Sequence, residues 1–332
     1  MNNILKISAL VLAVGAAAAV AVIVNRSTDS IDEETENDKL VEAVVKTLPE
    51  GLTVFSDSGT TMPPMWEVTA ADGSKLYLVG TIHSLSAQQY PLSQKVGDAF
   101  SKSDALAVEI LNVDLQDAWT ETESSYKTEL PEGDTLKAHL PDDVYTAISE
   151  RMKSNGADIA DYEKYYPWVL VQEPYWGSKP DPNCNWYYSF DRISQIEANI
   201  EGKKKYSVET IEAKNAYYPE MPDDMINMLL LSSCNDDTTM QPLIDAWVKG
   251  DIDTLYEIAV SDAAVPDEYK DTWAKYIEYS ITERNKIMTA KAEGYLSSDE
   301  TVFMAVGSAH CGGEQGIPAL LAEKGYTVTK IE

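Results

Sequence analysis

The chain has three histidines, and two of them close the same four-residue pattern, Gly80-Thr81-Ile82-His83 and Gly307-Ser308-Ala309-His310. Gly is 17 of 332 residues. A given His therefore has Gly three places before it roughly one time in twenty, and two hits among three is an event of about one in a hundred. Imidazole is the commonest protein metal ligand and the side chain best suited to proton transfer near neutral pH. Two acidic residues occupy matching places, Glu109 after Ala105-Leu106-Ala107-Val108 and Glu209 after Tyr206-Ser207-Val208. Two imidazoles and two carboxylates make an N/O donor set for a divalent transition ion such as Zn, Mn or Co. Such an ion would lower the pKa of water, and a carboxylate not on the ion would serve as general base. His139, in Leu136-Lys137-Ala138-His139-Leu140, has no matching Gly and reads as a surface residue.

These residues act together only if the chain brings their strands to one edge. Both Gly-x-x-His units follow apolar, strand-like runs, Leu76-Tyr77-Leu78-Val79 and Val302-Phe303-Met304-Ala305-Val306. A glycine after a strand lets the backbone turn and approach a neighbour closely. Trp66 to Thr69 and Lys75 to Leu78 flank Ala71-Asp72-Gly73, a hairpin signal. A helix over 93–101 leads into the buried strand 105–108, so a β-helix-β alternation sets polar residues at the carboxyl edge of a sheet. Residues 113–200 turn helical, with a helix starting at Pro141-Asp142-Asp143, a loop from Pro174 to Asn185 and a helix from Phe190 to Ile200. The aromatic-rich stretch 162–188 reads as packing. Strand 206–208 is followed by helices over 223–232, 240–249, 253–260 and 271–293, the last carrying Arg284 and Asn285. The chain closes with strand 302–306, a helix over 317–324 and a strand over 326–331. The expectation is an α/β (α+β) fold, a central mixed sheet from both ends of the domain with a large helical insertion.

The N-terminus reads as a targeting element. Lys6 precedes Ile7 to Val24, an uninterrupted apolar and small-residue run long enough to span a bilayer. Residues 1–24 are thus a signal-anchor, or a signal peptide cleaved near Ala16 to Ala19; either way the domain is exported. Residues 25–61 read as an acidic tether with a short helix at Leu40 to Thr47, and the domain proper as 62–332. A net charge of −29, from 55 acidic and 26 basic residues, argues against nucleic acid as a partner, because phosphate binding needs a basic face. It also leaves the N-terminal helix as the route to a membrane, since anionic lipid repels acidic chains. In an oxidising compartment Cys184 and Cys234 either pair or remain thiols, and Cys311 is a thiol beside the site or a small core residue.

No Gly-x-Ser-x-Gly, His-Glu-x-x-His, P-loop or dinucleotide fingerprint occurs, and Gly312-Gly313-Glu314-Gln315-Gly316 has no Lys or Arg beside it for phosphate. The stretches Leu76 to His83, Ser103-Asp104-Ala105-Leu106-Ala107-Val108-Glu109, Val208-Glu209-Thr210, Ala246-Trp247-Val248-Lys249-Gly250-Asp251, Arg284-Asn285, Val306 to His310 and Gly325-Tyr326-Thr327-Val328 together resemble the TraB/GumN family, to which the Tiki metalloproteases are related. The resemblance covers about residues 64–332. It implies an α/β core with helical insertions and, in the Tiki branch, a Mn- or Co-dependent metalloprotease acting outside the cell. Other branches are linked to pheromone shutdown or polysaccharide gene clusters. On this resemblance His83 and His310 match the two motif histidines, Glu109 and Glu209 match acidic positions, and Arg284 and Asn285 match an Arg-Asn pair. Cys311-Gly312 departs from the apolar residue usual after the second His. The expected function is an extracytoplasmic metal-dependent hydrolase acting on a peptide or protein substrate, with Glu109, Glu209, Arg284 and Asn285 catalytic and His83, His310, Glu109 and Glu209 on the metal. The alternative is a non-catalytic module that binds or sequesters a peptide or pheromone.

Overall fold

A computed structural model describes residues 48–111, 127–172, 184–235 and 240–332. The anchor over 1–24, most of the acidic tether, the helix expected at Leu40 to Thr47 and most of the loop from Pro174 lie outside them. Among the described residues no helix is long and apolar enough to cross a membrane.

The strands are β1 (Phe55–Ser56), β2 (Met65–Thr69), β3 (Lys75–Thr81), β4 (Leu92–Ser93), β5 (Ala105–Val108), β6 (Lys204–Ser207), β7 (Val302–Gly307) and β8 (Thr327–Ile331). The helices that matter below are α1 (Gln94–Lys102), α2 (Asp142–Asn155), α3 (Pro167–Gln172), α4 (Phe190–Ile200), α5 (Ile211–Asn215), α6 (Asp223–Asn235), α7 (Gln241–Val248), α8 (Ile252–Val260), α9 (Lys270–Ile277), α10 (Arg284–Leu296) and α11 (Ile317–Glu323). Six strands form one mixed sheet in the order β6-β5-β7-β3-β2-β8. The first four run parallel, while β2 is antiparallel to both β3 and β8. The expected hairpin is β2–β3. It turns through Ala70 and Gly73, whose N–H donates to Ala70 O at 3.0 Å, with Gly73 at φ +93°, a conformation glycine adopts without steric cost.

Alternation of side chains along the strands feeds two cores. On one face Val79, Leu106, Val108 and Phe303 pack with Phe100 of α1, Phe190 of α4 and Trp247 of α7. Phe303 meets Phe100 edge-on at 5.2 Å. On the other face Leu76, Leu78, Ala107, Val302 and Met304 pack with Met288 and Ala292 of α10 and with Ile317 and Leu321 of α11. Burial on both faces explains why β3, β5 and β7 read as unbroken apolar runs rather than alternating ones. Each large side chain so buried contributes about 1.5–3 kcal/mol relative to exposure. The inserted helices have their own core, built from Val144, Ile148 and Met152 of α2, Leu170 of α3, Met228 and Leu230 of α6, and Trp273 and Tyr276 of α9.

Three expectations need correction, and one alternative left open is decided. The strand expected at 206–208 is Lys204–Ser207; it is the sheet's edge, where lysines are tolerated because one side of the ladder faces water. The fold begins before Met62: Val54 is buried, Phe55 packs against Phe100 and Phe190, and β1 pairs with β4. A two-residue strand is too short to show a period. Cys234 is a free thiol packed against the helical-block core, while Cys184 packs against the sheet-side core, so the two are not bridged. The long helix expected over 271–293 is interrupted by a π-helical turn at Glu278–Glu283, immediately before Arg284.

Candidate functional site

The four parallel strands end on one edge, and register carries the motif residues to it. Thr81 stands beside Gly307, and Val108 beside both Ser207 and Ala305. Pairing runs past the last strand residues, since Val208 N–H donates to Val108 O and Glu209 N–H to Glu109 O, each at 2.8 Å. Glu109 and Glu209 are therefore neighbours, as the parallel reading of their strands requires.

The two Gly-x-x-His units are built into each other. Ser308 Oγ of the second donates to Thr81 O of the first at 2.9 Å, and Trp247 Nε1 donates to Gly80 O at 2.8 Å. A Cβ on Gly80 would stand 2.8 Å from Ser308 Oγ and 3.0 Å from a Pro64 carbon, and one on Gly307 would stand 3.0 Å from Glu109 Oε1. Both glycines are needed for close approach: Gly80 admits the opposite motif, and Gly307 admits a carboxylate. The Gly307 N–H donates to Glu109 Oε1 at 2.6 Å.

An open cleft of about 500 Å³ lies over this edge, lined by Thr81, His83, Glu109, Arg284, His310 and Lys214 among others. Each motif histidine is held through Nδ1. His83 Nδ1 lies 3.2 Å from Asp191 Oδ2, and Asp191 Oδ1 accepts from Thr81 Oγ1 at 2.9 Å. His310 Nδ1 lies 2.7 Å from Asn285 Oδ1, while Asn285 Nδ2 donates to Gln315 O at 2.7 Å, which orients the amide. An ionised carboxylate and an amide oxygen can only accept, so both rings carry their proton on Nδ1 and leave Nε2 as the free lone pair whenever neutral. Metal-binding histidines are oriented by just such partners on the other ring nitrogen. His310 Nε2 stands 4.0 Å from Glu109 Oε1.

Arg284 joins the two carboxylates. Its Nε donates to Glu209 at 3.0 and 3.1 Å, its Nη2 lies 2.8 Å from Glu209 Oε1 and donates to Glu109 Oε2 at 3.1 Å, and its Nη1 donates to Ser280 O at 3.2 Å. The π turn supplies that last acceptor and sets the rotation of Arg284 at the start of α10. Burial, the largest single influence, would raise the Glu109 pKa, but the charges of Arg284, His310, Lys214 and His83 together outweigh it, Arg284 most, and hold the carboxyl well below its ordinary range. Burial, reinforced by Arg284, pushes His310 down to about 3. For His83 burial is outweighed by the charge and hydrogen bond of Asp191, so its pKa rises.

Of the residues the sequence singled out, His83, His310, Glu109 and Arg284 line the cleft. Glu209 and Asn285 stand behind it: Glu209 on Arg284, and Asn285, fully buried, on His310. Asn285 thus positions the His310 ring and does not line the cleft. Among the described residues no group of three or more His, Cys, Asp or Glu side chains is placed to hold a metal ion; Glu109 and Glu209 are turned onto Arg284. His139 is exposed, as expected, and bonded to Asp134 at 2.8 Å. Cys311 is buried in the sheet core, so it takes the apolar role of the position it occupies.

Sequence reasoning missed Asp191 and Lys214. Asp191 follows the cap Ser189 in the first turn of α4, where acids are common for the helix dipole alone. Lys214, in the short helix α5, reads as an ordinary solvated lysine. Burial lowers its pKa, opposed by Glu109, and no hydrogen bond or ion pair to its side chain exists among the described residues.

No curated protein and no solved structure matches the chain. The TraB/PrgY/gumN family model matches residues 64–330, which include every residue of the cleft described above, and the chain belongs to the TraB/PrgY/gumN family.

Proposed function

We propose that this protein is a metal-dependent hydrolase, a peptidase, working outside the cytoplasm and held to the membrane by residues 1–24. The observation that carries the reading is the pair of motif histidines lining one cleft. Each is tied through Nδ1 to an acceptor, with Glu109 between Arg284 and the second ring. The N/O chemistry of His83, His310 and Glu109 suits a divalent ion such as Mn, Co or Zn, and these three would hold it. A carboxylate kept ionised by Arg284 is a weak proton acceptor and a good ligand, which favours the ligand role for Glu109 over that of general base. Glu209 acts by fixing Arg284, and Asn285 and Asp191 by fixing the imidazoles. When bound, the ion would polarise a scissile carbonyl and acidify water.

Metal content after purification without chelator tests the site. Wild type is expected to hold about one equivalent of ion, and His83→Ala and His310→Ala each to lose it. Unchanged metal in both variants, or none in wild type on addition of Mn, Co or Zn, sinks the proposal. Cleavage of a peptide library with added Mn or Co tests the activity. A second reading, peptide or pheromone sequestration without catalysis, is favoured by the hold of Arg284 on both carboxylates. It predicts peptide binding with no cleavage.

A further inference from the structure

Lys214 is the charged residue of the cleft that this scheme does not use. Glu109 and Glu209 share Arg284, and Asp191 is taken up by Thr81 and His83. Lys214 lines the same cleft, and its ammonium has no hydrogen-bonded or ion-paired partner among the described residues. Three carboxylates against Arg284 and Lys214 leave the cleft one negative charge with neutral imidazoles. A divalent cation on the histidines would turn the balance positive and leave the ammonium as the group still able to take an anion. Beside it the cleft is apolar, lined by Ile82, Met240, Leu243 and Ala309. A protein of net charge −29 repels anionic ligands at long range, so an anion is captured here only by a local, partly desolvated cation.

We propose that Lys214 binds a carboxylate of the substrate, making the protein selective for peptides that place a carboxylate next to an apolar side chain at the reacting bond. This rests on the peptide reading of the cleft. Two sources share the chemistry, the free C-terminus of a peptide or an acidic side chain within one. A charge-assisted hydrogen bond in such a site corresponds to roughly a ten- to hundredfold difference in affinity.

The test is equilibrium binding to the full-length chain, with Mn²⁺ and with chelator. The probes are N-acetyl-leucyl-leucine, its C-terminal amide, and the amidated N-acetyl-leucyl-glutamyl-leucine. Wild type is expected to bind at least one of the two acids about tenfold or more tightly than the neutral amide, and which acid wins identifies the source. Lys214→Met, which keeps the aliphatic stem, should abolish the preference, and Lys214→Arg should keep most of it. Equal binding of acids and amide, no binding of any probe, or a preference that survives in Lys214→Met overturns the proposal. The last result would assign the carboxylate to the ion, and Lys214 to balancing Glu109 and Glu209. Because the readout is binding, absence of cleavage with the preference intact refutes the peptidase reading and leaves the role of Lys214 standing.

Discussion

Replacing Arg284 by Met should be among the most damaging single changes in this chain. The guanidinium makes hydrogen bonds to Glu209, Glu109 and the Ser280 carbonyl, with its side chain 17% exposed and both carboxylates 8%. Methionine keeps much of the volume but leaves two adjacent, nearly buried carboxylates facing each other. Breaking a buried ion pair from one side costs about 3–5 kcal/mol, against a typical total stability of about 5–15 kcal/mol. The sign with pH follows from linkage. Arg284 depresses the folded-state pKa of Glu109. That stabilisation is complete above the unfolded value near 4.5 and is lost as pH falls through the depressed one. Without Arg284 the Glu109 pKa rises, so the gap between variant and wild type should be widest near pH 7 and narrow below about pH 5. Urea unfolding followed by tryptophan fluorescence in chelator, from pH 7 to pH 4, measures it. Adding Glu109→Gln and Glu209→Gln to Arg284→Met should recover most of the loss. Arg284→Lys, which keeps charge but not the fork, should fall between. A loss under about 1 kcal/mol at pH 7, the range of an exposed ion pair, or a gap independent of pH would refute the buried clamp.

Further outcomes follow from the same geometry. Gly80→Ala sets a methyl 2.8 Å from Ser308 Oγ and should destabilise by about 1–3 kcal/mol; Ser308→Gly should relieve part of it, and an additive double-mutant cycle by urea unfolding would contradict the contact. His310, lowered to about 3 in the fold, stabilises fully above its unfolded pKa near 6.5, and that stability is lost as pH falls from 6.5 towards 3. His310→Gln should therefore flatten the pH dependence of the unfolding free energy between about 6.5 and 5, where His310 contributes a slope approaching about 1.4 kcal/mol per pH unit. A slope unchanged in the variant rules this out. His83 does not mask the effect, because its raised pKa acts above 6.5.

The convergence of His83, Glu109, Glu209 and His310 was legible because each follows an apolar run that had to be a buried strand, and consecutive parallel strands present their ends on the same side. What could not be read was how the four are shared out. Glu109 and Glu209 occupy equivalent strand ends, yet only the first lines the cleft. The difference is set by Arg284 reaching over from a helix far along the chain. That reach depends on a π turn at Glu278–Glu283, an insertion of one backbone position that a mixed-polarity helix does not reveal through its period. Asp191 and Lys214 were hidden for a different reason. A first-turn aspartate and a lysine in a polar segment are the commonest residues of their kind, and only the opposing walls give them other work.

The structural meaning of the repeated motif lies in its middle residues as much as in its histidines. Ser308 Oγ reaches Thr81 O across 227 residues of sequence, and Gly80 leaves the space that lets it do so. The adjacent parallel strands β3 and β7 hold the two units in register, so neither histidine can shift along the edge without breaking the other's contacts. Their supports come from different layers: Asp191 from α4, which packs on one face of the sheet, and Asn285 from α10, which packs on the other. The cleft is therefore a point where both faces of the sheet and both motifs must be correctly assembled. Repacking of either core that moves α4 or α10 should be felt at a histidine before it is felt in overall stability, because a hydrogen-bonded constellation tolerates only a small misplacement.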